Sequence, residues 1–321
     1  MSAPTSPARG PLARAWASNK PLTFLGVAMI ATLVAAVVGL VLDPRVITGA
    51  PAWLKPAKFA ISVALYSFTL VWLLSFLPGR RRLVGVVSWM VTIALVVEMV
   101  LIIYAVIAGT ASHFNTSTPA AAAIFSVMGT AIVVVWVATL ILGIALLRHR
   151  HSDRAFLWSL RLGVLIGMIG MALAFLMTSP TSDQLARARA GHGLPTTGAH
   201  SVGVADGGPG LPIVGWSTVG GDLRVAHFFG LHALQLLPLV GFAIARWAPA
   251  SWRAGHRFAL VWTVGLGYLG FVLLTAWQAL RGQPFAEPDV VTLSAVGAIV
   301  GAVVVAVAAV AVSARRREVA V

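Results

Sequence analysis

The chain contains no cysteine, and only 10% of its 321 residues are charged. Without cysteine it forms no disulfide, thiolate metal site or iron–sulfur cluster, and thiol catalysis is excluded. Acidic residues are especially scarce, with nine Asp and Glu against 23 Lys and Arg. A soluble domain with so few charges would have too little polar surface to cover itself. The composition therefore indicates a chain embedded in a bilayer.

Motifs for nucleotide and hydrolase chemistry are also missing. No Walker A or GxSxG pattern occurs, and the GxGxxG string at residues 265–270 (GLGYLG) lies inside a long apolar run rather than between a strand and a helix. The net charge of +14 raises the question of nucleic acid. No basic, aromatic-rich soluble segment is present, so we predict no nucleic-acid partner. The basic residues instead fall in five clusters between long uncharged stretches, as in loops that return to one side of a membrane. These clusters are Arg9/Arg14/Lys20, Arg80 to Arg82, Arg148/Arg150/Arg154, Arg246/Arg253/Arg257 and Arg315 to Arg317.

Eight segments are long and apolar enough to be transmembrane helices, which need about 20 mostly apolar residues each. They lie near residues 21–43, 57–77, 83–108, 119–147, 155–178, 223–246, 255–281 and 289–314. The predicted fold is an all-α, polytopic membrane bundle. By the positive-inside rule, the basic tails 1–20 and 315–321 are both cytoplasmic, where basic clusters contact anionic lipid headgroups.

The two halves of the chain, 21–147 and 155–314, look related. Residues 54–59 (LKPAKF) open the second segment, and residues 223–228 (LRVAHF) open the sixth. Both halves would begin on the same side, so the relation would be a parallel four-plus-four repeat. Chance is the alternative, since short apolar strings match easily.

One external connection, residues 179–222, contains ten glycines and four prolines. Loops this long are usually functional lids or are disordered. We predict a short helix from Asp183 to Ala190 with Ser182 as its N-cap. Apolar residues such as Trp216 and Ile213 favour a cap folded over the outer mouth of the bundle, with disorder as the alternative.

Glu98 is the one carboxylate well inside a predicted span, about 15 Å from the outer end of the third segment. Translocon scales put an ionised side chain there at about 2.5 to 3.5 kcal/mol, so such a group normally faces protein or water and has a partner. A protonated glutamic acid that joins two helices by a hydrogen bond is one interpretation. We favour a proton-accepting or cation-pairing residue.

Helical periodicity places further polar side chains near the same depth. One stripe runs down the sixth segment and, if the halves are related, an equivalent stripe runs down the second. Other polar residues follow the third segment and end the seventh. The predicted outward-facing cavity is lined by Glu98, His232, His227, Arg224, Gln235, Tyr66, Lys58, His113, Asn115 and Gln278. Snorkelling to outer headgroups is the alternative for the basic members of this set.

Metal binding is a further hypothesis, with His113, His227 and His232 as candidate ligands. His227 and His232 are five residues apart, or about 140° around a helix, and cannot easily share one metal. Each histidine could meet a ligand from another helix, and axial haem ligation by His227 or His232 is conceivable. No catalytic residue is assigned.

Four strings resemble a group of uncharacterised polytopic membrane proteins of high-GC bacteria: residues 53–59 (WLKPAKF), 112–119 (SHFNTSTP), 207–212 (GGPGLP) and 221–235 (GDLRVAHFFGLHALQ). This resemblance implies a multi-pass protein of a bacterial plasma (inner) membrane. It implies nothing about the activity of the chain. The eight-helix, four-plus-four arrangement is also similar to haem A synthase, but the paired external cysteines of that enzyme are absent here. The likeness is one of architecture alone.

Three functional hypotheses follow. The first is a protein that binds or transports a small polar or anionic solute, coupled to protons through Glu98 and His232. The second is a haem- or metal-dependent membrane oxidoreductase with its site on the external face. The third is a structural or accessory membrane subunit.

Overall fold

The computed structural model describes residues 10–249 and 251–318. Within these ranges the chain forms ten α-helices and four two-residue strands. Eight of the helices are long and apolar enough to cross a membrane, so the predicted all-α, multi-pass fold is confirmed. Residues 1–9 and 319–321, which belong to the predicted basic tails, lie outside the described residues.

The elements agree with the predicted spans to within four residues at each end. In chain order they are α1 (Pro11–Ser18), α2 (Lys20–Leu42), β1 (Val46–Ile47), β2 (Ala50–Pro51), α3 (Leu54–Ser75), α4 (Arg81–Ile107), α5 (Pro119–Arg148), α6 (Arg154–Met177), α7 (Ser182–Arg189), β3 (Ser201–Val202), β4 (Gly221–Asp222), α8 (Leu223–Trp247), α9 (Ala254–Leu280) and α10 (Val290–Glu318). The segment predicted as an N-terminal tail thus contains the short helix α1.

Polar side chains fix the starts of several spans. Asn19 caps α2 by accepting a hydrogen bond from Leu22 N, and its amide donates to Ser88 Oγ of α4 over 2.6 Å. Thr118 caps α5 with Pro119 at the first helical position, as the Thr-Pro pair predicts. These bonds satisfy amide groups that a helix start leaves without partners.

The chain divides into two compact units, and the first comprises residues up to 47, 51–110 and 127–138. Helices α2, α3 and α4 pack against one another in this unit. Gly26 of α2 lies against the ring of Phe68, where an added Cβ would be 2.8 Å from ring carbons. The glycine therefore lets α2 and α3 approach closely.

The second unit comprises residues 48–50, 111–126 and 139 onward. Its central feature is the seam between α6 and α8, which is built on small residues. An added Cβ on Gly230 would lie 2.3 Å from the Cα of Gly170, and one on Gly241 would lie 1.9 Å from Ser159 Oγ. Small residues at such crossings allow the backbone contact that drives helix association in membranes.

Helices α9 and α10 extend this unit, with α9 packed on α6 and α8, and α10 on α9. Strands β3 and β4 pair antiparallel, with Ser201 opposite Asp222, and lie against α9. The predicted division into halves 21–147 and 155–314, and the repeat between them, stay predictions.

Candidate functional site

Glu98 belongs to the first unit and lies nine residues before the last residue of α4, about 14 Å along the helix. It is 1% exposed. The buried stripe of α4 runs through Ser88, Leu95, Glu98 and Ile102, so the carboxyl is on the face that packs against protein. This is the placement that an ionisable group within a membrane requires.

Lys55 supplies a positive charge that interacts with the Glu98 carboxyl. It lies in the first turn of α3, half-buried, with its Nζ 5.9 Å from the centroid of the Phe59 ring. Lys58 and Tyr66 lie further along α3 and are also half-buried. The first unit therefore combines a buried carboxyl with a basic residue at a helix start, a pairing that can exchange protons and bind an anion.

The connection 179–222, predicted to be external, is folded. Its helix α7 begins at Ser182, but the N-cap is Thr181, whose hydroxyl accepts from Gln184 N while the Gln184 side chain accepts from Thr181 N. The predicted cap at Ser182 is therefore one residue late. Such a reciprocal capping box satisfies two amides at once, which neither Ser182 nor its neighbour Asp183 achieves.

The Gln184 side chain also holds Gly198, donating to its carbonyl and accepting from its amide over 3.0 and 2.9 Å. Gly198 has φ of +96°, and an added Cβ would lie 2.3 Å from the Met177 carbonyl oxygen. This position needs glycine, because a side chain would suffer both an unfavourable φ and a clash with backbone.

His113 and Asn115 lie in the connection before α5, which is joined to the folded loop. Thr116 N donates to Pro195 O, and Thr197 N donates to Phe114 O, so the two segments run antiparallel. The Asn115 side chain accepts from Ser117 N and Ser117 Oγ, which makes an Asx turn. His113 Nδ1 lies 3.1 Å from the Ser112 hydroxyl.

His200 and Asp206 form an ion pair inside the loop. His200 Nδ1 donates to Asp206 Oδ2 over 2.9 Å, and the amides of His200 and Ser201 donate to the same carboxylate. Partial burial alone would raise the pKa of Asp206, but the hydrogen bonds and charge of His200 outweigh it and hold the pKa below its ordinary value. The charged carboxylate thus ties the loop to itself.

Acid should loosen this loop. Folding lowers the pKa of Asp206, so the ionised carboxylate stabilises the loop fully at pH values above its ordinary pKa of about 4. This stabilisation is lost as the pH falls further. We expect amide hydrogen-exchange protection across residues 199–206 to drop between pH 5 and pH 3, after correction for intrinsic rates. Asp206→Asn should show reduced protection at both pH values, by about 1–2 kcal/mol.

The matched control is Asp183→Asn, an exposed carboxylate on α7 of the same loop. It should keep the acid sensitivity of the wild type. Equal protection at pH 5 and pH 3 in the wild type would show that the pair does not hold the loop.

Asp222 is buried in the second unit, with 1% of its surface exposed, and joins the loop to α8. Its carboxylate caps α8 by accepting from Arg224 N, and it also accepts from Ser217 N. The guanidinium of Arg224 makes a bidentate pair with it, at 2.9 Å from Nε to Oδ1 and 2.6 Å from Nη2 to Oδ2. Nη2 donates to Gly215 O as well. Arg224 therefore serves as a clamp whose charge is matched inside the protein.

The histidines of α8 face different neighbours. His227 Nδ1 lies 2.7 Å from Gly170 O of α6, and since a carbonyl only accepts, this nitrogen carries the proton. His232 Nδ1 lies 3.3 Å from Gln235 Oε1, and its ring packs edge-on to Phe228 at 4.4 Å between centroids. His227 also interacts electrostatically with His200 and with His232.

Gln278 is buried at the end of α9 and holds the turn that leads to α10. Its amide donates to Pro284 O over 2.7 Å. The same turn is closed by an ion pair between Arg281 and Asp289 at 2.6 Å. Gln278, which was predicted to line the cavity, therefore also stabilises this turn.

The ten predicted cavity residues are divided between the two units. Glu98, Lys58 and Tyr66 lie in the first; the other seven lie in the second. Sequence reasoning missed Asp222, His200 and Asp206 as polar centres. For Asp222 a signal was present, because an aspartate directly before a predicted helix start is a strong N-cap.

Comparisons of this chain with protein-family models, curated proteins and solved structures found no match. The resemblance to the high-GC family and the likeness to haem A synthase therefore stay expectations from the sequence. Among the described residues, no group of three or more His, Asp or Glu is arranged to hold a metal ion.

Proposed function

We propose that this integral membrane protein binds a small polar or anionic solute from the outer side and carries it together with a proton. The observation that carries the proposal is the buried Glu98 carboxyl in the middle of α4 with Lys55 as its opposite charge. An ionisable side chain in a membrane span is costly, and it is usually retained where it binds ions or protons.

The pair supplies a simple coupling scheme. An anion that pairs with Lys55 withdraws the positive charge from Glu98, and a carboxylate that loses its counter-charge binds a proton more readily. One anion and one proton would then enter together. The net charge of the site does not change, because the anion neutralises Lys55 and the proton neutralises Glu98.

Reconstituted protein tests this scheme. Proteoliposomes with a trapped pH-sensitive dye would be given an inward gradient of inorganic phosphate, succinate or glutamate. We expect at least one of these anions to acidify the lumen. Glu98→Gln should abolish the acidification while anion binding, followed by thermal stabilisation, persists. Lys55→Met should weaken binding of the anion itself.

Glu287→Gln is the matched control, because Glu287 is an exposed carboxylate in the turn before α10. It should transport like the wild type. Acidification by Glu98→Gln at the wild-type rate, or no acidification by the wild type with any of the three anions, would overturn the proposal.

His232 is the second proton-accepting group of the proposal. We expect His232→Gln alone to slow the anion-driven acidification. Acidification by His232→Gln at the wild-type rate would remove His232 from the proposal and leave Glu98 as its proton site.

A further inference from the structure

An apolar groove of about 340 Å³ lies between α9 and α10. Tyr268 borders it, but its hydroxyl donates to Phe229 O of α8 and is thereby satisfied within the protein. Because both helices span the bilayer, a groove without polar partners takes hydrocarbon rather than water. Its main lining residues are Val264, Gly267, Phe271, Ile299, Val300 and Val303.

The groove has the length of one membrane leaflet. Its lining runs from Val264 to Leu274 along α9, which is about 15 Å, half of a hydrocarbon core of about 30 Å. The helices come close at Gly267, where an added Cβ would lie 2.5 Å from Val303 Cγ2. The dimensions suit a single acyl chain.

An arginine lies on the same face of α9, toward the start of the helix. Arg257 precedes Val264 by seven residues, which is within about 20° of two full turns and about 10 Å along the axis. Its Nε is buried with no hydrogen-bond acceptor among the described residues. A buried polar N–H without a partner costs free energy that an anionic oxygen would recover.

The two helices that form the groove place no carboxylate near Arg257. Consecutive spans run antiparallel, so the exposed Arg315 near the end of α10 lies at the same membrane level as the start of α9. Neither α9 nor residues 290–317 of α10 contain an acidic residue. No carboxylate of these two helices therefore competes with an anionic ligand at this end of the groove.

We propose that the groove and Arg257 form a binding site for one anionic phospholipid in the leaflet where α9 begins. One acyl chain occupies the groove, and the phosphate accepts hydrogen bonds from the Arg257 guanidinium, whose planar fork matches phosphate oxygens. This site is separate from the Glu98 site and does not depend on transport.

Native mass spectrometry of the full chain in detergent tests the site, with phosphatidylglycerol, phosphatidylcholine and inorganic phosphate as probes. Phosphatidylglycerol should bind about tenfold more tightly than phosphatidylcholine. Arg257→Gln should remove this preference, and Val300→Trp, which fills the groove, should weaken both lipids. Arg150→Gln removes one charge from an exposed loop and is expected to bind like the wild type.

Four outcomes contradict the site: equal binding of the two lipids, equal losses in Arg257→Gln and Arg150→Gln, no effect of Val300→Trp, or displacement of phosphatidylglycerol by millimolar phosphate. The last would show a free-anion site instead. Arg257→Lys, which keeps the charge but lacks the fork, should retain intermediate preference, and each variant's thermal unfolding verifies that it is folded.

Discussion

Replacing Arg224 with methionine should lower the free energy of unfolding of the second unit by about 3–5 kcal/mol. The substitution leaves the Asp222 carboxylate, whose side chain is 0% exposed, without its opposite charge. In detergent, tryptophan fluorescence should report a melting temperature lower by about 10 °C. Loss of the clamp would also release Gly215 and the loop that it anchors.

A double variant separates the ion pair from simple packing. In Asp222→Asn/Arg224→Met the side chain at 222 is neutral and still caps α8, so most of the lost stability should return. A loss below about 1 kcal/mol in Arg224→Met would mean that water reaches the carboxylate. That result would reopen Arg224 as a residue for binding an external anion.

Gly230→Val should lower the free energy of unfolding by more than about 3 kcal/mol, at least as much as Arg224→Met. The new side chain would overlap the backbone of α6, which cannot move aside by itself. The Cβ would lie 2.3 Å from the Cα of Gly170, and no change of rotamer relieves that overlap. Helices α6 and α8 would have to separate, which would also break the bond from His227 to Gly170. Size-exclusion chromatography and thermal unfolding measure the result.

Because Gly230→Val could prevent folding altogether, Gly230→Ala gives a graded version of the same clash. Gly297→Ala is the control, since no atom of the described residues beyond its own helical turns lies within 4 Å of an added Cβ in that position of α10. It should be neutral or stabilising by up to about 1 kcal/mol. Equal melting temperatures for Gly230→Ala and Gly297→Ala would contradict the close α6–α8 crossing.

The contacts of Arg224 decide which basic residue the proposed function depends on. In the sequence, Arg224 and Lys55 occupy equivalent positions at the starts of two spans. In the structure, Arg224 is held by Asp222 and Gly215, whereas Lys55 interacts with the buried Glu98. The proposed proton exchange therefore rests on the first unit, where the basic charge faces a group that can titrate.

Several parts of the site were predictable because they follow from local chemistry. The depth of Glu98 follows from its place in an apolar run, and the cost of an exposed membrane charge predicts that it faces protein. The Thr118-Pro119 start of α5 follows from capping rules. The order of loop 179–222 was not predictable, since its many glycines suit both a folded cap and disorder.

The amino-acid sequence by itself determined the eight spans and their ends, because hydropathy and helix caps act over a few neighbouring residues. Only the tertiary structure decided which polar groups meet. Gly170 and His227 are 57 residues apart and join through the α6–α8 seam. Asp222 is buried in β4, which pairs with β3 and lies against α9. Such contacts depend on how whole helices and loops pack, and no local pattern of residues specifies that packing.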